Sequence, residues 1–364
     1  MNSYGEYLQP FFPYIPSRLI SAQCLDRVLS VTQQLPASLG IGPFGFECSL
    51  DGRPAADFSV AVMASRGDHA ALSRLGLTDV TAPPLDNPGW TRIHQFARSW
   101  ADASSLLSHA VEEVWLEFDV CLTRDAPGNT PSVFFRLGYQ SPREPALRRR
   151  LSKEYIRVAK EGLDILEGGR TSPATLSTLA ECFHILPAFA RILFLGAMVS
   201  RDTGTIRVVV SGLSLEDMVR YLQRLGLRKP VEHLPLVADI SGLMDQVWLA
   251  IDIQETGVTP RIGFDCYYTS TARSENNGKW AHLLDFLVDN GICADDKRTA
   301  LLGAADMSNW EFDELAWPES IRRVSRILGP AGFNRIELYI HHIKVIDRPG
   351  TPLEAKAYIC GSYR

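Results

Sequence analysis

The chain has no excess of positive charge, and this absence argues against nucleic acid as its partner. Its 37 lysine and arginine residues are outnumbered by 42 aspartate and glutamate residues, which gives a formal net charge of −5. Binding to nucleic acid depends mainly on cations that neutralise phosphates, so an acidic protein is a poor match. A ligand that carries phosphate groups would need a local cluster of cations.

Long hydrophobic runs are absent as well. The most apolar stretch, Ile185–Val199, is broken by Pro187 and Arg191. It is also shorter than the roughly 20 residues that a membrane-spanning helix needs. Residues 1–16 lack the basic start and the apolar run of a signal peptide. We therefore expect no membrane span and a cytoplasmic location.

Two cysteine patterns are missing. No pair of cysteines has the CxxC spacing of a zinc knuckle, and seven widely spaced cysteines, an odd number, do not suggest a disulfide framework. Reduced thiols in the cytoplasm fit this pattern best. The residues are Cys24, Cys48, Cys121, Cys182, Cys266, Cys293 and Cys360.

Five stretches of the sequence are typical of β-hairpins, because two alternating or apolar runs flank a turn. Helical patterns fill the intervals, and both Ser172-Pro173 and Ser214 with Asp217 are typical helix starts. The predicted hairpins are Phe44–Leu50 with Phe58–Ala64, Val114–Leu122 with Ser132–Tyr139, Ile192–Val199 with Thr205–Ser211, Val247–Gln254 with Arg261–Thr269, and Arg335–Ile346 with Leu353–Cys360.

Serial hairpins leave strand edges that must be paired or covered. Antiparallel strands solve this by closing into a barrel, with the helices packed outside. We therefore predict an α+β fold over residues 1–364 as a single domain, with residues 1–40 as an N-terminal extension and helix. The predicted domain is a ten-stranded antiparallel β-barrel that is built from five hairpin-plus-helices repeats and surrounded by a ring of helices. Residues 114–120 and 247–253 both begin Val-Trp-Leu, which supports an internal repeat, although chance convergence of two amphipathic strands gives the same pattern.

Cations lie on the predicted inner face of the returning strands. Side chains alternate between the two faces of a strand, and the apolar face belongs against the helices. Cations away from water are costly unless an anion pairs with them, and arginine binds phosphate groups with two parallel hydrogen bonds. Four of the five returning strands place a cation there: Arg136, Arg207, Arg261 and Lys356.

Aromatic and acidic side chains share this inner face. The rings could stabilise a carbocation through cation–π attraction. The alternative is that the cations pair with the carboxylates in a purely structural network, and the residues leave that alternative open. The rings are Trp115, Phe134, Trp248, Tyr267 and Tyr358, and the carboxylates are Glu117, Asp119, Asp252, Asp265 and Glu354.

The order of hairpins and helices around a cationic, aromatic chamber resembles the ABBA prenyltransferases, which include fungal indole prenyltransferases and cyanobactin-type peptide prenyltransferases. The resemblance covers most of the chain in element order, from about Phe44 to the end. Gly45–Leu50 looks like the family's first barrel strand, and Lys356-Ala357-Tyr358 resembles its Lys-x-Tyr pattern. The implied activity is transfer of a prenyl group from an allyl diphosphate to an aromatic small molecule or peptide, in natural product biosynthesis.

The resemblance also implies roles for individual residues. Glu47, or Glu117 as the second choice, would accept the proton that the acceptor loses. An aspartate-rich DDxxD run is missing, and Asp295-Asp296 fits a helix start, so Mg²⁺ is not expected to be obligatory, while its binding stays open. The diphosphate would be held by Arg136, Arg207, Arg261, Lys356, Tyr267 and Tyr358, and the acceptor pocket and cation shield would consist of Trp115, Phe134, Trp248 and Tyr339.

Two departures from the family pattern leave other functions open. The first returning strand, Asp57–Val62, lacks the expected arginine unless Arg66 takes its place, and the third hairpin supplies Arg207 without a Lys-x-Tyr pair. One alternative is a non-catalytic protein that binds a peptide or lipid in the same chamber. Another is a different transferase or hydrolase, whose acid–base groups would be Glu117, Asp119 and Asp252.

Overall fold

Ten strands form a closed antiparallel β-barrel in the computed structural model of the chain. In chain order the strands are β1 (Phe44–Ser49), β2 (Ala56–Met63), β3 (Val111–Phe118), β4 (Ser132–Leu137), β5 (Arg191–Ala197), β6 (Ile206–Ser211), β7 (Gln246–Gln254), β8 (Gly257–Tyr267), β9 (Trp310–Glu311), β10 (Arg335–Asp347) and β11 (Glu354–Tyr363). Strands β1 to β8 pair in chain order, β8 pairs with β10, and β11 pairs with both β10 and β1, which closes the ring. The short β9 pairs only with the start of β10. This arrangement confirms the predicted barrel.

The structure describes residues 3–39, 42–74, 87–121, 130–138, 145–229, 231–269, 273–306, 310–311, 317, 319–328 and 335–363. The predicted strand ends Leu122 and Tyr139 lie outside these ranges.

Helices surround the barrel and connect its hairpins. The hydroxyls of Ser172 and Ser214 accept hydrogen bonds from the backbone N–H groups of Thr175 and Asp217 (3.1 Å each), which confirms both predicted helix starts. Within the described ranges, no helix combines the length and the apolar character needed to cross a membrane. The helices are α1 (Gly5–Leu8), α2 (Ala22–Thr32), α3 (Asp68–Arg74), α4 (Pro88–Ala101), α5 (Leu106–Ala110), α6 (Pro145–Leu166), α7 (Pro173–His184), α8 (Leu215–Arg224), α9 (Leu234–Gly242), α10 (Arg273–Asp289), α11 (Asp295–Asp306) and α12 (Glu319–Leu328).

Strand pleating separates an apolar outer face from a polar interior. The ring centroid of Phe135 on β4 lies 5.5 Å from that of Phe96 on α4, so the outer face packs directly on a helix. Each buried ring of this kind contributes about 1.5–3 kcal/mol, which makes the layer between strands and helices a main source of stability. The fully buried outward phenylalanines are Phe46, Phe58, Phe118, Phe135 and Phe264.

The two ends of the barrel are built differently. The hairpin turns lie at one end, which we call the hairpin-turn end, and the helices between hairpins leave from the other, the helix-connection end. The loop Gly291–Ala294 between α10 and α11 reaches the hairpin-turn end, where the Ala294 N–H donates to the Leu50 carbonyl (2.8 Å). The buried ammonium of Lys297 then donates to the carbonyls of Leu19 (3.1 Å) and Arg53, which fixes α11 against the first hairpin.

One disulfide corrects the prediction that all the cysteines are reduced. Cys24 of α2 and Cys121, just after β3, are joined although 97 residues separate them. The prediction was wrong for this pair because spacing along the chain carries no information about two elements that meet only in the folded barrel. The five other cysteines are free thiols and buried.

Candidate active site

The interior of the barrel contains two adjoining cavities of different chemistry. The polar cavity, about 690 Å³, is lined partly by turn residues and lies toward the hairpin-turn end. The aromatic cavity, about 200 Å³, lies toward the helix-connection end. The two meet at side chains that line both: Ser59, Glu117, Arg207, Lys344 and Tyr358.

The wall of the polar cavity is highly charged, with seven cations and six carboxylates among the described residues. Three of the cations, Arg207, Arg261 and Lys356, were predicted from strand alternation to face the interior, and the structure brings them together. Four others were not predicted. Among the described residues the cationic lining is Arg53, Arg201, Arg207, Arg261, Lys344, Arg348 and Lys356.

A pair of arginines shares one buried carboxylate in this wall. Arg207 on β6 makes two hydrogen bonds with Asp252 on β7, through Nε (2.7 Å to Oδ1) and Nη2 (3.0 Å to Oδ2). Arg261 on β8 adds a third, from Nη1 to Oδ2 (3.3 Å). Two guanidinium groups beside one carboxylate leave a local excess of positive charge, which suits an incoming anion.

Other cations of the cavity are also paired with carboxylates. Arg201, in the turn after β5, binds Asp119 through Nε (3.0 Å) and Nη2 (2.7 Å). The Lys344 ammonium on β10 lies 2.8 Å from an oxygen of Asp265. The predicted alternative of carboxylate pairing is therefore present in the structure, and these pairs hold the cations in fixed positions.

Glu47 lies in the same wall and is bound on both carboxylate oxygens. The Lys356 ammonium donates to one oxygen and the Tyr358 hydroxyl to the other. Burial alone would raise the pKa of Glu47, but the positive charge of Lys356 and these hydrogen bonds lower it to about 2. Glu47 is therefore ionised at neutral pH and a weak base.

Glu117 has the opposite character. It lines both cavities, and within the described residues no hydrogen bond or ion pair holds its carboxylate. Burial and the nearby charge of Glu47 raise the pKa of Glu117 to about 7. The same two causes raise the pKa of Asp57 to about 7, although its Oδ1 accepts the backbone N–H of Val120 (2.9 Å). Glu117 is thus free to exchange a proton near neutral pH.

Stacked rings form one wall of the aromatic cavity. Successive ring centroids from Trp248 to Tyr267, His342 and Tyr358 lie 4.1, 4.8 and 4.0 Å apart, across strands β7, β8, β10 and β11. Burial, His341 and Lys344 all lower the pKa of His342 well below its usual range, so its ring is neutral. Because Tyr267 and His342 each lie between two neighbouring rings, only the end rings, Trp248 and Tyr358, have a π face that the stack itself leaves uncovered.

Trp115 and Phe134 line the opposite side of the aromatic cavity, and their role in an acceptor pocket stays a prediction. The Arg207 guanidinium carbon lies 6.0 Å from the Phe134 ring centre, at the junction of the two cavities. Trp248 lines the cavity as well. Tyr339 contributes to the lining of neither cavity; its ring centroid lies 6.4 Å from that of His341, further along β10.

Arg136 stands apart from the other predicted cations. It lines the aromatic cavity, pairs with Glu113 (3.4 Å) and Glu112 (3.9 Å), and is 42% exposed in its side chain. The register between strands explains why Arg136 lies at a different height in the barrel from Arg207. Phe134, not Arg136, lies level with Gly196, the residue that pairs with Arg207. Arg136 is therefore a poor candidate for a diphosphate site, and Tyr267 also lies in the aromatic half.

Sequence reasoning missed four cations of the polar cavity, and each has an identifiable reason. Lys344 lies beyond an irregularity in the pairing of β10 between Ile340 and His342, which interrupts simple alternation. Arg53, Arg201 and Arg348 lie in hairpin turns, where alternation predicts nothing. Alternation counted backward along β10 from its hairpin turn, rather than forward from the start of the strand, would have placed Lys344 on the inner face.

Comparisons with known proteins identify the fold but not the family. No family model and no curated protein matches the sequence. The crystal structure of the prenyltransferase PriB in its apo form matches with a TM-score of 0.54 and 12% identity, over 98% of this chain and 95% of that chain. The chain therefore has the barrel fold of the prenyltransferase PriB.

Two further solved structures match at a TM-score of 0.48 and 13% identity, each over 98% of this chain. One is 5-dimethylallyltryptophan synthase from Streptomyces coelicolor, of which 97% is covered. The other is the ternary complex of PriB with L-tryptophan and dimethylallyl thiolodiphosphate, of which 94% is covered. At these identities the likeness concerns the fold alone.

Proposed function

We propose that the protein transfers a prenyl group from an allyl diphosphate to an aromatic acceptor, either a small molecule or a peptide side chain. The observation that carries the proposal is the division of the interior into a cationic half and an aromatic half that meet at Arg207, Glu117 and Tyr358. An allyl diphosphate has the same division, because one end is anionic and the other is an apolar chain that becomes a cation. The shared fold with a prenyltransferase supports the proposal.

The diphosphate is proposed to bind in the polar cavity, between Arg207, Arg261 and Lys356. Lys344 and Tyr358 line both cavities, and we propose that they contact the donor where the diphosphate joins the allyl group. When the carbon–oxygen bond breaks, its electron pair stays on the diphosphate, and preorganised cations stabilise the added charge. These cations supply positive charge that Mg²⁺ would otherwise bring, so we expect activity to persist in EDTA.

The allyl cation is proposed to form beside the stacked rings. The face of Tyr358 that the stack leaves uncovered, with Trp115 and Phe134 opposite, stabilises positive charge, and the rings together exclude water that would capture the cation. An aromatic carbon or a heteroatom of the acceptor then supplies the electron pair of the new bond. The acceptor loses one proton, which restores its aromatic ring or neutral heteroatom.

We propose Glu117, rather than Glu47, as the group that takes this proton. Glu117 lines the aromatic cavity, its pKa lies near neutral pH, and its oxygens are not engaged within the described residues. Glu47 lines only the polar cavity and is held by Lys356 and Tyr358. We assign Glu47 the role of orienting those two side chains.

The test is product formation from a panel of allyl diphosphates and a panel of indoles, phenols and short peptides. The expected result is an acceptor that gains the mass of one prenyl group, with release of one diphosphate per turnover. EDTA is added in a parallel series, where we expect turnover to continue. Absence of prenylated product and of diphosphate binding across the panels would contradict the proposal.

A second candidate function is non-catalytic binding in the same chamber. The observation that favours it is that Arg66, the substitute for the missing first-strand arginine, binds Asp68 (Nε to Oδ2, 2.9 Å) and lines neither cavity. Ligand binding without turnover would support this candidate. A hydrolase built on Asp119 and Asp252 is less favoured, because Arg201 and Arg207 already engage both carboxylates.

A further inference from the structure

The helix-connection end carries a groove on its outer surface that adjoins the aromatic cavity. The groove has a volume of about 600 Å³ and shares one side chain, Trp248, with the lining of the 200 Å³ aromatic cavity. The two spaces therefore lie on either side of one indole ring. The outer groove is defined by Phe189, Arg191, Ser211–Leu215, Ser241 and Met244–Trp248.

The volumes show that a large acceptor does not fit inside. The aromatic cavity must hold an acceptor ring beside the prenyl chain, and 200 Å³ is below the ~300–1,000 Å³ of ordinary ligand pockets. The outer groove falls within that range. Solvent reaches the aromatic cavity from this end, since the side chain of Arg136 in its lining is 42% exposed.

The lining of the groove matches the chemistry of a peptide. Ser211, Ser241 and Gln246 offer neutral hydrogen-bonding groups for backbone amides, and Phe189 offers an apolar ring that is 63% exposed. Phe189 is the one aromatic residue among the large hydrophobic side chains that are exposed in the described ranges. An aromatic side chain at the surface of this kind is a typical anchor for a protein or peptide partner.

The charges of the groove argue against other ligands. Its lining has one cation, Arg191, and one anion, Asp245, within the described residues. The Lys279 ammonium lies 3.1 Å from Asp245 and neutralises it. A polyanion would need a cluster of cations, and a lipid would need a continuous apolar lining, so neither fits.

The groove is also preformed. Gly212 has φ +84°, and a Cβ atom there would meet the carbonyl oxygen of Phe189 at 2.7 Å. Only glycine allows the segment after β6 to pack this closely on the backbone that carries Phe189. The backbone that carries Phe189 is thus positioned by the fold before any ligand binds.

We infer that the outer groove holds the body of a peptide acceptor, whose aromatic side chain reaches past Trp248 into the aromatic cavity. This inference rests on the proposed prenyl transfer. The donor then occupies the polar cavity from the hairpin-turn end, while the acceptor enters from the helix-connection end. Neither substrate blocks the path of the other.

The experiment compares capped hexapeptides that carry one central tryptophan, tyrosine or phenylalanine with the corresponding free amino acids. Binding is measured by calorimetry without donor, and kcat/KM is measured with dimethylallyl diphosphate. We expect Phe189→Ala to weaken binding of the preferred peptide. The ratio of kcat/KM for that peptide to kcat/KM for the free amino acid should fall by about tenfold. Ile327→Ala, which removes another exposed side chain (83%) on α12, is the matched control and should leave that ratio unchanged.

Two outcomes would overturn the inference while the proposed function stands. One is prenylation of free amino acids with no preference for any hexapeptide, and the other is a peptide preference that Phe189→Ala leaves intact. Ser241→Trp, which fills the groove from α9, provides a second variant if Phe189→Ala fails to fold. Peptide binding that depends on Phe189 but yields no prenylated product would support the groove and contradict the proposed function.

Discussion

The two halves of the barrel interior use the same strands but opposite chemistry. In the polar half, cations are held by carboxylates, and Asp252 alone binds both Arg207 and Arg261. In the aromatic half, stacked rings surround a smaller space, and the one histidine within the stack is kept neutral. In the proposed function, this difference along the barrel axis would let one half receive an anion while the other protects a transient cation.

The carboxylates Glu47 and Glu117 show the same contrast on a smaller scale. Glu47 faces a lysine and a tyrosine, and its pKa is lowered to about 2, whereas burial raises the pKa of Glu117 to about 7. This difference in surroundings is the basis for the two roles that we propose, with Glu47 positioning cations and Glu117 moving a proton.

The largest expected effect comes from Glu117→Gln. Loss of the general base should lower kcat by about 10²- to 10⁴-fold, while the affinity for the donor stays nearly unchanged. Glu47→Gln is the matched comparison, and we expect it to lower kcat by about tenfold or less, because its effect passes through Lys356 and Tyr358. Steady-state kinetics with calorimetric titration of the donor checks both. If Glu47→Gln abolished turnover and Glu117→Gln did not, the assignment of the two roles would be reversed.

The second-largest expected effect is on the affinity for the allyl diphosphate donor, which should depend on cations of the polar half and not of the aromatic half. Arg261→Gln should weaken binding of dimethylallyl thiolodiphosphate by about 10- to 100-fold, because one charge-assisted hydrogen bond is lost. Arg136→Gln removes the same charge from the aromatic half and should change the dissociation constant by less than about threefold. Calorimetry measures both variants. Equal losses in the two would mean that the halves do not divide the donor as proposed.

The pH dependence of kcat/KM provides a third test. Glu117 accepts a proton only when ionised, so the rate should be constant above its pKa of about 7 and fall about tenfold per pH unit below it. Asp57→Asn removes the other carboxyl whose pKa is raised to about 7 and should leave this profile in place. A flat profile from pH 5 to pH 8 in the wild-type protein would argue against Glu117 as the base.

The smallest expected effect tests the stack of rings. His342→Ala removes contacts with both Tyr267 and Tyr358, and each aromatic pair contributes about 0.5–1.5 kcal/mol, so the free energy of unfolding should fall by about 1–3 kcal/mol. His342→Phe keeps both contacts and should stay within about 1 kcal/mol of the wild type. Denaturant unfolding measures the difference. Similar losses for alanine and phenylalanine would show that the imidazole nitrogens, rather than stacking, hold the ring.

Much of the barrel could be predicted from the sequence because its strands follow simple rules. Alternating side chains identified which face of each strand is apolar, so Arg207, Arg261 and Lys356 were predicted on the inside. Hairpin turns identified which strands pair, and the closed order of ten strands followed from the need to cover edges. These features depend on residues close together in the chain.

The site itself was less predictable because it depends on positions along the barrel axis. Alternation assigns Arg136 and Arg207 to the same face, but only the register between strands shows that they lie at different heights. The raised pKa of Glu117 depends on its burial in the folded barrel and on the charge of Glu47, 70 residues earlier. The disulfide between Cys24 and Cys121 and the irregularity in β10 that positions Lys344 are also products of tertiary packing.

The most direct test of a divided interior is a crystal structure of the protein with dimethylallyl thiolodiphosphate bound. The account predicts diphosphate oxygens at ordinary hydrogen-bond distance, about 2.7–3.2 Å, from Arg207, Arg261 and Lys356. It also predicts the allyl group between the ring stack and Phe134, within reach of Glu117. A diphosphate bound at Arg136, or an allyl group that points toward the hairpin-turn end, would contradict it.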